Sequence, residues 1–234
     1  MSKETTGKSM PAHRKISLTA GLLYLLTFVS IPTLSLYSPL REANFVLTNG
    51  QHDTSILVGA LLEMVVGLAC IGTAVALYQI LKKQSQILAN GLVAVRILEA
   101  SAIFAGVALV LTHVALRQAS AGADSLQASH VLSMLYDKTF LISQSFLPGI
   151  NDLLLGYMLY KSGLVPRAIA VLGIVGFVPL TMAFVAMFFG GIEQRADIAG
   201  LAAIPVALFE LSLGIWLVTK GFSTKAITKL QKTS

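Results

Sequence analysis

Apolar residues in this chain fall in long unbroken runs instead of alternating with polar ones. Six windows reach the roughly 20 mostly apolar residues that a bilayer-crossing helix needs: 16–36, 55–81, 88–116, 131–160, 166–189 and 197–219. The pattern predicts an all-α, polytopic integral membrane protein with six transmembrane helices. In the fourth window Pro148 and Gly149 predict a kink or break. Pro179 and Pro205 are tolerable in the fifth and sixth, because neighbouring helices can satisfy the freed carbonyls. The longest connections, around 37–54 and 117–130, are too small for a soluble domain. The expected organisation is one transmembrane domain, 16–219, between basic tails at 1–15 and 220–234. A polar, basic start followed by an apolar run resembles a signal peptide. The run is of spanning length and no convincing cleavage site follows, so it reads as a retained first helix.

Composition supports this pattern: 55% of the residues are hydrophobic and 12% charged, against about 25% charged in soluble domains, and the mean hydropathy is +0.78. The formal charge of +6 would point to nucleic acid if the charges were not sorted by loop. Lys3, Lys8, Arg14 and Lys15, then Lys82 and Lys83, then Lys161 and Arg167, then Lys220, Lys225, Lys229 and Lys232 fall on one side. The other side mixes Arg41, Arg117, Lys138 and Arg195 with Glu42, Asp53, Asp124, Glu193 and Asp197. The positive-inside rule puts both termini in the cytoplasm. The basic residues then face anionic head groups, so the partner is the lipid bilayer and no nucleic acid is called for. Lys225, Lys229 and Lys232 have helical spacing, but a solvated tail accounts for them. The single cysteine, Cys70, forms no intramolecular disulfide or thiolate cluster.

Five ionisable residues lie inside the windows: Glu63, Arg96, Glu99, Asp152 and Glu210. Each costs at least about 2.5–3.5 kcal/mol at the bilayer centre, and such residues normally face the bundle interior and pair. Helical rise puts Arg96, Asp152 and Glu210 at similar depth, about 12–13 Å from the cytoplasmic ends. Glu99 lies one turn deeper on the face of Arg96. One arginine with three acids in reach leaves a surplus of carboxylates. Asn151 and Gln144 would line the same space. Two readings compete: an interhelical ion pair that only fixes the bundle, or a polar cavity that binds a small polar solute or ion.

Glu63, Asp152 and Glu210 each precede a glycine by four positions, Gly67, Gly156 and Gly214. That spacing puts the glycine on the same helix face, where it permits close packing. The expectation is three repeated helical hairpins, with Glu63 matching imperfectly because it lies nearer the outer surface.

The histidines support little chemistry. His52, His113 and His130 map to the outer side, without the i,i+4 spacing of a helical metal pair. A site from His113 and His130 is conceivable, but the reading assigns no metal and no cofactor. HExxH, GxSxG and Walker loops are missing from the sequence, and no residue is assigned as catalytic. An intramembrane enzyme that modifies lipids with acids alone is the third and weakest reading.

Three stretches, AGLLYLLTF at 20–28, RILEA at 96–100 and above all LLLGYMLYKSGLVPRAIAVLG at 153–173, resemble a bacterial six-helix membrane family, domain of unknown function 4386. The family motif has Arg where this chain has Lys161, which keeps the charge. The resemblance spans about Lys15 to Gly221 and implies a polytopic bacterial inner-membrane protein. It brings no established activity, substrate or catalytic residues. Within its most specific stretch, Gly163 suits a left-handed helix cap and Pro166 the first turn of the next helix. Lys161 and Arg167 suit head-group anchoring, so the segment reads as a short cytoplasmic turn.

Overall fold

The computed structural model describes residues 10–42, 44–119 and 123–233, and every regular element among them is helical. The helices are α1 (Ala12–Thr27), α2 (Thr33–Leu36), α3 (Asp53–Leu81), α4 (Gln86–Gln118), α5 (Ala123–Phe140), α6 (Leu147–Ser162), α7 (Arg167–Phe188), α8 (Asp197–Thr219) and α9 (Thr224–Thr233). Four of them, α3, α4, α7 and α8, are long and apolar enough to cross a membrane. They match their sequence windows to within two residues at each end. Pro179 and Pro205 lie inside α7 and α8.

The other two windows are interrupted, the first against expectation and the fourth just before Pro148, where an irregularity is expected. The first helix ends at Thr27 instead of running to residue 36. Pro32 has no N–H to offer the Phe28 carbonyl, which instead accepts from the Ile31 amide at 3.2 Å in a tighter 3₁₀ turn. The helix also starts before Ile16, and this places Arg14 within α1. Its guanidinium donates to the carbonyls of Leu217, at 2.8 Å, and Val218, which otherwise lack partners at the C-terminal end of α8.

In the fourth window the irregularity expected at Pro148 and Gly149 takes the form of a change of helix type just before them. A π-helical segment, Leu141–Phe146, joins α5 to α6, and the Leu147 amide bonds the carbonyl of Ile142, five residues back. The extra residue per turn absorbs the mismatch that Pro148 introduces, and Pro148 sits in the first turn of α6 where its missing N–H is harmless.

Successive long helices pack on one another in chain order. α1 lies against α3, α3 against α4, α4 against α5 and α6, α6 against α7 and α7 against α8, while α8 returns to α1. The bundle is therefore a closed ring. Its outward faces are apolar, with Leu61, Leu68, Val175, Met182, Leu201 and Leu208 exposed, as suits a chain solvated by lipid. The expected packing glycines sit at the seams. A Cβ on Gly156 would meet the Ala170 carbonyl of α7 at 2.8 Å, and one on Gly214 would meet Leu25 of α1 at 3.0 Å. One on Gly67 would meet the Phe104 ring of α4 at 2.8 Å.

At the end of the bundle that carries α9, Gly163 closes α6 at φ 66°, a conformation that favours glycine. Pro166 stands one position before α7, not in its first turn, with extended backbone. Lys161 lies over the Tyr157 ring and Arg167 over Tyr160, at 5.9 and 5.4 Å from the ring centres. The C-terminal segment is a packed helix instead of the expected solvated tail. Ala226 and Ile227 of α9 are buried in the main core, while Lys225 and Lys232 remain exposed.

Candidate functional site

Arg96 is the largest fully buried side chain in the bundle, at 2% exposure, and helical spacing sets its first partner. Glu99 follows it by three positions on α4 and accepts from Nη1 at 3.1 Å. The ring closure brings the rest. Nη1 also approaches Cys70 Sγ of α3 at 3.6 Å. Nη2 donates to Glu210 of α8 at 2.9 Å and to the Tyr24 hydroxyl of α1 at 3.2 Å. The guanidinium carbon also lies 5.4 Å from the Tyr24 ring centre. One side chain thus ties together α1, α3, α4 and α8.

Helix α6 contributes two neighbours. Asn151 donates from Nδ2 to Glu99 at 2.5 Å. Asp152 lies 3.8 Å from Arg96 Nη2, within ion-pair range but beyond a hydrogen bond. Both side chains are completely buried. A guanidinium has four Nη hydrogens, and here they go to Glu99, Cys70, Glu210 and Tyr24. None remains for Asp152, and neither of its carboxyl oxygens has a hydrogen-bond partner. The Asn151 carbonyl oxygen and Arg96 Nε lack partners as well. Asp152 and the Asn151 carbonyl oxygen are thus the acceptors left without donors, and Glu210, at 16% side-chain exposure, is the most open acid of the cluster.

The structure brings together Arg96, Glu99, Asn151, Asp152 and Glu210, and it separates Glu63 from them. Glu63 sits two turns along α3 from Cys70, across a plug of Val66 and Ile103. It accepts from Tyr136 at 3.0 Å and from Tyr37 at 3.4 Å. Gln144 lies in the π-helical segment, half-buried. His113 is buried and shares a hydrogen bond of 2.5 Å with Ser129, whereas His130 is exposed. The two rings therefore sit in different settings, one buried and hydrogen-bonded and the other exposed.

Two members of the cluster, Tyr24 and Cys70, are not among the residues that the sequence singles out for it. Both lie inside long apolar runs of the sequence. Cys70 lies eleven positions before the last residue of α3, Leu81, where Asp152 lies ten before Ser162 of α6 and Glu210 nine before Thr219 of α8. In depth Cys70, and not Glu63, is the counterpart of the two acids.

A family model described as "Domain of unknown function (DUF4386)" matches residues 19–221, and the chain belongs to that family. No curated protein and no solved structure matches it.

Proposed function

We propose that this member of the DUF4386 family is a six-span bacterial inner-membrane protein, with both termini cytoplasmic, that binds a small monovalent cation at its Arg96 cluster. α1 and the continuous α5–α6 supply the two spans beyond the four long apolar helices, and the sorting of Lys and Arg supports the orientation. The seams support an origin in three hairpins. Gly67, Gly156 and Gly214 each lie against the first helix of the following hairpin, in cyclic order.

One observation carries the binding reading: the completely buried Asp152 carboxyl group, without a hydrogen bond, beside an arginine whose Nη hydrogens are already committed. A buried carboxylate that shares one guanidinium with two other acids and accepts no hydrogen bond is expensive by several kcal/mol. A small cation at Asp152 would supply both the missing partner and the missing positive charge. Sodium, potassium and the proton share that chemistry, and movement of the bound ion through the bundle would make the protein a carrier.

The test is the melting temperature of the protein in lipid nanodiscs. One series exchanges choline for sodium or potassium at constant ionic strength, and the other lowers the pH. Stabilisation in the first series identifies a metal cation and in the second the proton, and Asp152→Asn should flatten the responsive series. Cysteine labelling beside Glu99 and Asp152, in a Cys70→Ser background, then reports whether water-soluble reagents reach the site.

A second reading has its own support. Arg96 bonds four helices, which is what a purely structural clasp would do in a membrane component that binds a partner protein or lipid. Wild-type protein indifferent to both series, and unlabelled at those positions, would establish the clasp instead. The lipid-modifying reading requires an acid open to head groups, and the enclosure of Glu99 and Asp152 gives it no support.

A further inference from the structure

At the end of the bundle remote from α9, a second acid sits in an aromatic setting. Glu63 is 4% exposed, and both of its hydrogen-bond donors are phenols, those of Tyr136 and Tyr37. Their rings meet edge to face with centres 5.5 Å apart. Beside them lies a small cavity, closed by Leu40, Leu109, Val110 and His113, with room for about one water. Arg41 forms its rim. The guanidinium carbon is 5.9 Å from the Tyr136 ring centre, yet its ion pair is with Asp137, at 3.1 Å, and not with Glu63. Asp137 in turn pairs with Arg195 at 2.9 Å.

Two neutral phenols satisfy the hydrogen-bonding of a carboxylate but leave its charge uncompensated. Among the described residues no cation forms an ion pair with Glu63. His113 is taken by Ser129 and stacked edge-on by Phe45. Glu63 has the two phenol hydroxyls at its oxygens and the Tyr136 ring beside it under a guanidinium, and an organic cation is recognised through charge and cation–π attraction together. Arg41 already presents one such group at the edge of the site. It does so from the short 3₁₀ turn Ser38–Arg41, with its side chain 23% exposed. Asp137 and Arg195 lie outside the aromatic pair and give that guanidinium a place to withdraw to.

We infer that Glu63, Tyr37 and Tyr136 form a binding site for a small organic cation of the guanidinium or alkylammonium class, with Arg41 as its tethered occupant. The ligand takes the place of the Arg41 head over Tyr136 and pairs with Glu63, while Arg41 turns fully toward Asp137. The site shares no residue with the Arg96 cluster, so the two proposals stand or fall separately.

The experiment removes the tether and supplies its head group in solution. Methylguanidinium is titrated against wild-type protein and Arg41→Ala in nanodiscs, with urea as the neutral isostere and binding read calorimetrically. Arg41→Ala should bind methylguanidinium about tenfold more tightly than wild type, and should not bind urea. Glu63→Gln added to Arg41→Ala should reduce that affinity about tenfold. If the double variant fails to fold, Tyr136→Leu in the Arg41→Ala background must show the same loss. Absence of binding to Arg41→Ala overturns the proposal. So does equal binding of urea, or affinity indifferent to both second substitutions. A merely structural Arg41 would lower stability on removal without creating a cation site.

Discussion

The Arg96 cluster and the Glu63 pocket place the same functional group, a carboxylic acid, inside the same apolar bundle and satisfy it by opposite means. Around Arg96 the currency is charge, with one guanidinium divided among carboxyl groups from α4, α6 and α8. Around Glu63 it is neutral hydrogen bonding, with two phenols for two carboxyl oxygens. The first arrangement leaves acceptors without donors, whereas the second leaves a charge without a counter-charge. A ligand suited to the first must approach an unserved carboxyl group, while a ligand suited to the second must bring charge to one already hydrogen-bonded. The arrangements also differ in how many helices depend on a single side chain. That difference orders the expected effects of substitution.

Arg96→Met should have the largest effect. It keeps the apolar volume of the side chain but leaves Glu99, Asp152 and Glu210 facing one another without a cation. Stranding buried charges in this way costs about 3–5 kcal/mol, and unfolding in mixed SDS micelles measures it. Loss of under about 1 kcal/mol would mean that the acids find other partners and that the two regions do not differ in kind.

Tyr136→Phe should come next, because it removes a donor from a buried acid and leaves the acid in place. Loss of a hydrogen bond to a charged group costs about 1.5–3 kcal/mol. Tyr37→Phe should cost less, since its bond is longer, 3.4 Å against 3.0 Å. The same unfolding assay ranks them, and a reversed order would place the principal donor of Glu63 on the loop instead of α5.

How much of this could be read from the sequence depended on what kind of signal each residue carried. Apolar run length located α3, α4, α7 and α8 because a lipid-facing helix needs no other information. The same measure overextended the first helix, since Phe28, Val29 and Ile31 are as apolar in a 3₁₀ turn as in a helix. It also could not separate a kink at Pro148 from a π-helical bypass, a distinction made by backbone hydrogen bonds alone. Arg96, Glu99, Asp152 and Glu210 stood out because charge is rare in such windows, and helical rise put Arg96, Asp152 and Glu210 at one depth with Glu99 a turn deeper. Asn151 followed by adjacency. Tyr24, Tyr37 and Tyr136 gave no such contrast. A phenol is unremarkable in an apolar run, and its role emerges only when the ring of helices turns its hydroxyl toward an acid. Without those partners Glu63 read as one more member of the wrong cluster.

Glu63→Gln tests the pocket from the acid's side and should cost about 1 kcal/mol, less than Tyr136→Phe. The amide keeps one acceptor oxygen, and a tyrosine hydroxyl can rotate to accept from the new NH₂ group. Removing the acid thus removes the uncompensated charge together with part of the hydrogen bonding, and these changes offset. Loss approaching that of Arg96→Met would show that Glu63 carries a structural ion pair, and would move the pocket into the same class as the cluster.

The smallest effect is expected at the rim. Arg195 contacts Asp137 at 2.9 and 3.0 Å but is 56% exposed, so solvent screens the pair and Arg195→Ala should shift stability by no more than about 0.5 kcal/mol. Asp137 would retain Arg41 as its partner, and the aromatic pair beneath would be undisturbed. The measurement is the same SDS unfolding curve, compared with that of Arg41→Ala, which also strips a cation from the Tyr136 ring and should lose more. Equal losses from the two substitutions would mean that Arg41 acts only as a surface ion pair. In that case the contrast between the two buried acids would rest on the tyrosines alone.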